Sequence, residues 1–284
     1  MNIKELSLKY GLNESEQTEL SEYIQNRFEG IPEGGLEEYE QLPIWRRLAA
    51  LSQLVGAAEV INKKLCPKLP VDFKDPDGVR LEIFDSFAGA IPMICADDTA
   101  DFEALVTNIV HKGVRPENIG QTGASFVSGK STRFIILSRK LYSNVTADEL
   151  GLDERDWAEK SMLLRRSHEC THYYTKQVFG ISNNILHDEL MADFIGLLDA
   201  FGFYKAEWFL RFMGVIEGSG GRLVVYTEAL SERVKQAVTE LLTNAAYGLE
   251  NWSQSEGFEK LTNAERINIL CRAGILGMAK MNGG

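Results

Sequence analysis

Residues 153–180 read DERDWAEKSMLLRRSHECTHYYTKQVFG, an unbroken helical pattern with acids in its first turn and Gly180 to end it. Inside it, residues 168–172 are His-Glu-Cys-Thr-His. At about 100° per residue, His168 and His172 stand about 40° apart on one face, so both imidazoles can reach one metal ion. Glu169 projects about 100° round from His168, off the ligand position but suited to serve as general base toward water at such an ion. Leu163, Leu164, Cys170, Tyr174 and Val178 form an apolar arc that begins where the histidine pair ends, and packing of that arc would turn the histidines toward a cleft. The plainer alternative is two surface histidines on an ordinary helix.

The next helical stretch, LHDELMADFIGLLDAF at 186–201, offers what the pair lacks. Leu186, Leu190, Phe194, Leu197 and Phe201 make its packing stripe, while Glu189 and Asp193 share a neighbouring stripe at i, i+4. Two acids at that spacing repel, and a cation beside them resolves the conflict. Glu189 is therefore the candidate third metal ligand, and Asp193 the candidate acceptor for the free ring N–H of a histidine ligand. A solvated acidic face is the competing reading. Hydrolysis at such a site wants a further donor for a developing oxyanion; Tyr173, Tyr174 and Tyr226 are the candidates, with Tyr226, which ends the run RLVVY, favoured among them and simple packing as the competing reading. His187 and His111 have no partner at metal spacing; His187 lies well round the helix from Glu189 and at most supports the site from behind, with surface or core as the plainer reading.

HExxH followed by Glu189-Leu190-Met191-Ala192-Asp193 resembles the gluzincin zinc metallopeptidases, whose second motif is ExxxD and in the heat-shock and prenyl-protein-processing branch often reads ExxAD, as here; the subfamily is left open. The resemblance covers residues 168–193. Asp188 stands where thermolysin-like members commonly carry Asn, and the two motifs lie closer together than in those enzymes. The resemblance implies a zincin-like α+β fold, with a small mixed sheet and an active-site helix followed by a mainly helical C-terminal subdomain supplying the third ligand. It also implies one Zn²⁺ per chain, a peptide or protein substrate and metallopeptidase activity with Glu169 as general base. Such enzymes lay an extended substrate along an edge strand ahead of the active-site helix, and RFIILS at 133–138 occupies that place; an internal strand fits its residues equally. The alternatives from other classes are a latent or non-catalytic metal-binding regulatory protein that needs an activating partner, and a hydrolase of non-peptide amides or esters.

Outward from the motif, Arg80–Phe87 and Ile91–Ala96 read as strands, Thr99–Lys112 as a helix ending at Gly113, and Gly123–Val127 with Arg133–Ser138 as a hairpin across SGKS. Further helices are expected at about 204–217, 228–248 and 261–280. Strands in the middle and helices behind them predict an α+β architecture in three regions: a helical 1–80 ending in CPKLPVDFKDPDG, an α+β 81–180 and a helical 181–284. The net charge of −11 argues against nucleic-acid and anionic membrane partners. Four scattered cysteines without a CxxC pair read as buried thiols, and the opening MNIKELSLKYGLNESEQ has no apolar core for a signal peptide, so a cytoplasmic protein is expected. Gly129-Lys130-Ser131 ends like a phosphate-binding loop, but Ala124 stands where the first glycine is required, which excludes nucleotide binding there.

Overall fold

The computed structural model describes residues 2–129, 132–182, 185–216 and 221–281. Lys130 and Ser131 of the expected SGKS turn, residues 218–220 of the glycine-rich loop and the last three residues lie outside them. The chain is α+β, and it forms two compact units, one of residues 35–177 and one of residues 1–34 with 178–284. The expected helical front end is thus shared between them. Its first helices, α1 (Ile3–Tyr10) and α2 (Glu14–Tyr23), each start in a capping box, Asn2 with Glu5 and Asn13 with Glu16.

In the unit of residues 35–177, the periodic stretch from Leu36 to Lys64 becomes two helices, α3 (Leu42–Val55) and α4 (Ala57–Lys64). They are broken at Gly56, whose φ of 91° favours glycine. A four-stranded mixed sheet follows: β1 (Val79–Ser86), β2 (Gly89–Ala96), β3 (Ala124–Ser128) and β4 (Arg133–Ser138) in the order β1-β2-β4-β3. β2 and β4 run parallel, and the other pairings are antiparallel. Between β2 and β3 the chain passes through α5 (Thr99–Leu105), which continues into a π-helical turn, Val106–Val110, where one longer α-helix was expected. One face of the sheet, with Val79, Leu81, Ile94, Ala96, Phe134 and Ile136, packs with Trp45, Val60, Ile61, Phe102 and Leu105 of α3, α4 and α5.

RFIILS is not an edge strand. β4 pairs on both sides, and Phe134 through Ser138 are all buried, because a continuous apolar run suits a strand covered on both faces. The strands at the sheet edges are β1 and β3.

After β4 come the short α6 (Ala147–Leu150) and the long α7 (Glu154–Phe179), 26 residues or about 39 Å. Asp153 opens α7 by accepting from the backbone N–H groups of Arg155 and Asp156, at 2.9 and 3.2 Å. α7 meets the second face of the sheet: the Arg166 guanidinium lies 4.1 Å from the Phe84 ring centroid, and Tyr173 sets its edge on Phe126 at 5.9 Å. Arg165 donates to the Ser138 carbonyl at 2.6 Å, and a Cβ at Gly123 would come within 2.7 Å of Arg165 Nε, so this buried arginine needs glycine beneath it.

The other unit holds α8 (Leu186–Phe201), α9 (Ala206–Met213), α10 (Leu223–Thr227), α11 (Glu232–Ser253) and α12 (Asn263–Met278), with α1 and α2 packed on α11. α10 lies where the sequence suggested only a short apolar run; the Tyr23 hydroxyl of α2 donates to the Tyr226 carbonyl at 3.0 Å and braces it. α11 and α12 approach so closely that a Cβ at Gly248 would lie 2.0 Å from the Met278 carbonyl oxygen. Among the described residues, no helix is long and apolar enough to cross a membrane, and all four cysteines are free and buried.

Candidate metal centre

α7 carries the histidine pair on a stripe that is buried throughout. Trp157, Ser161, Arg165, His168 and His172 follow one another at intervals of four, four, three and four residues, and each is at most 6% exposed. His168 and His172 are 5% and 6% exposed, which removes the reading of two surface histidines. Their Nε2 atoms stand 3.0 Å apart. The opposite nitrogen of His168, Nδ1, lies 2.9 Å from the Tyr142 hydroxyl. Glu169 is partly buried on the same helix, one residue from His168.

α8 is almost wholly buried, fourteen of its sixteen residues, including Asp188, Glu189 and Asp193. The solvated acidic face is therefore excluded, and buried carboxylates require partners. Arg222 supplies a cation, donating to Glu189 Oε2 at 3.4 Å and pairing with Asp193. The Tyr226 hydroxyl lies near Glu189; burial and that carboxylate raise its pKa well above the usual phenol value. Arg222 caps the start of α10 and Tyr226 lies one turn further on, so a single short helix brings both groups toward Glu189.

His168, His172 and Glu189 each offer one ligand atom, and these atoms all lie within 4.8 Å of one another. Two nitrogens and a carboxylate oxygen are a donor set that zinc accepts. Zn–N bonds of about 2.0–2.1 Å at tetrahedral angles separate two nitrogens by roughly 3.4 Å, so the 3.0 Å between the imidazoles needs only a few tenths of an ångström of opening. These residues could hold a metal ion.

The remaining sequence candidates divide clearly. His187 belongs to the core: its Nε2 donates to the Leu270 carbonyl at 3.0 Å, Phe28 packs edge-on at 5.3 Å, and burial pushes its pKa down. His111 is exposed. Tyr173 and Tyr174 are buried against Phe126 and Phe87, leaving Tyr226 as the tyrosine beside Glu189. Asp193, expected to orient a histidine, pairs with Arg222. Sequence reasoning did not find Tyr142 or Arg222. Both come from short turns outside any periodic pattern, and only a three-residue helical turn at Tyr142–Asn144 and the five-residue α10 carry them.

Fold and donor set together define an α+β protein with one candidate metal centre among its described residues. The chain belongs to a family of unknown function, DUF7005, whose model matches residues 67–132 and 130–282. No curated protein and no solved structure matches it.

Proposed function

We propose that this protein is a zinc-dependent hydrolase with a zincin-like fold, a metallopeptidase in which His168, His172 and Glu189 hold the ion. One observation carries the reading: the two buried imidazoles of an HExxH helix meet nitrogen to nitrogen, with a Glu189 oxygen within 4.8 Å. When bound, zinc supplies Lewis-acid polarisation of a scissile carbonyl and lowers the pKa of water. Glu169, next to His168 and outside the donor set, takes a proton from the attacking water on its carboxylate and returns it to the leaving amine. Two neutral imidazoles and one carboxylate would leave a bound divalent ion with net positive charge, which would favour an anionic transition state. Tyr226, whose hydroxyl lies near Glu189, is the nearby donor for the developing oxyanion. The substrate is a peptide or protein segment.

Metal content by mass spectrometry, on protein purified without chelator or affinity-column metal, tests the site. About one zinc per chain is expected in wild type, and loss in both His168→Ala and Glu189→Ala. Glu169→Gln should keep its zinc and lose peptide hydrolysis by about 100-fold or more. Wild-type protein that takes up no zinc even when it is added back would overturn the reading.

A further inference from the structure

The hydroxyl of Tyr142 and the Nδ1 of His168 face each other at 2.9 Å, both side chains buried. The other ring nitrogen of His168 faces His172. The two nitrogens of this imidazole thus have separate tasks. For Nε2 to give its lone pair to a metal, the neutral ring must carry its proton on Nδ1, and the group across from Nδ1 must then accept. A tyrosine oxygen can do so. We propose that Tyr142 is a positioning residue for the metal centre, holding His168 in the Nδ1–H form and its ring in the plane that turns Nε2 toward His172. The inference rests on the zinc reading above and adds a residue outside both motifs.

Tyr142 is itself held from several directions. Its backbone N–H donates to Ser161 Oγ at 3.1 Å, and the Arg165 guanidinium lies 5.5 Å from its ring centroid. Just beyond it, Ser143 and Asn144 have φ of 52° and 57°, a left-handed pair without glycine that persists only where surrounding contacts impose it. Trp157 supplies one such contact, donating from Nε1 to the Val145 carbonyl at 2.8 Å. Trp157, Ser161 and Arg165 are the first three members of the α7 stripe that continues into His168 and His172. One face of one helix therefore clamps the Tyr142 turn with its first half and presents the imidazoles with its second. Arg165 also reaches the Ser138 carbonyl at the end of β4, which ties the turn to the last strand. A tyrosine that only filled space would need neither the strained turn nor a hydroxyl aimed at Nδ1.

The test uses the full-length chain and zinc alone. Zinc affinity of wild type and Tyr142→Phe, measured by competition with a chromophoric chelator, should differ by about 10–100-fold, with one zinc per chain still bound at saturation. Zinc-loaded wild type labelled with ¹⁵N-histidine should show a slowly exchanging Nδ1 proton on His168, and Tyr142→Phe should lose it. That proton reports the hydrogen bond itself and would not respond to a purely structural role. If Tyr142→Phe fails to fold, Ser161→Ala, which loosens the Tyr142 backbone without touching either ring, should weaken zinc in the same direction. A phenylalanine variant with wild-type affinity, or one that retains the protected proton, would overturn the inference while leaving the zinc reading standing. Wild type that takes up no zinc would overturn that reading and this one with it.

Discussion

At the scale of the residue, Arg222 answers two buried carboxylates at once. α8 buries Asp188, Glu189 and Asp193 within six residues, and Arg222 pairs with the second and third. Removing one partner of a buried ion pair leaves charge stranded in a poorly solvated place, at a cost of about 3–5 kcal/mol. Arg222→Ala is therefore expected to unfold at markedly lower denaturant concentration than wild type when both are metal-free. Added zinc should recover part of the difference, since it restores a cation at Glu189. Urea unfolding of both proteins with and without zinc measures this, and equal metal-free midpoints would show that the acids find their compensation elsewhere. The grouping of His168, His172 and Glu189 was legible in the sequence because a helix converts spacing into direction. Tyr142 and Arg222 were not, because a turn residue's direction is set by backbone angles that only its contacts impose.

Among the elements, the sheet shows how local pattern and tertiary environment divide the work. Both hairpin partners of the sheet, β1 with β2 and β3 with β4, follow from runs of strand-forming residues around turns. The parallel joining of β2 to β4 does not, and it makes β4 internal. The ends of that parallel pair are tied by charge: Arg80 of β1 grips Asp97 through two hydrogen bonds of 2.7 and 3.0 Å, and Arg139 after β4 reaches the same carboxylate at 3.4 Å. The Arg80 hydrogen bonds hold the Asp97 carboxyl below the usual carboxylate range. A carboxyl with a lowered folded pKa stabilises the protein above its unfolded pKa, and that contribution fades as pH falls through the folded value. Asp97→Asn should thus cost about 0.5–1 kcal/mol at neutral pH and less at high salt, and the difference should fade in acid as the pH falls through the lowered pKa of the folded carboxyl. Thermal unfolding of the pair across pH checks it; a difference that persists in acid would assign the loss to packing.

For the molecule as a whole, a ligand that binds only the folded chain stabilises it by mass action. Free zinc at 100 times its dissociation constant should add about 2.7 kcal/mol, raising the melting temperature by roughly 5 °C or more. Calorimetry with and without zinc reads this directly, and His172→Ala should abolish the shift; a shift retained in that variant would place the ion elsewhere. The sequence alone determined the α+β character, the long helix of the histidine pair and the buried-acid helix that follows it. Each of these depends on periodicity, caps and breakers that act within a few residues of the chain. Tertiary structure alone decided that β4 is central, that the first 34 residues pack with the last helices while the next belong to the sheet, and that Tyr142 lies against His168 and Arg222 against Glu189. Those outcomes join residues far apart in the chain, where the loop-closure and packing terms that select them leave no local pattern to read.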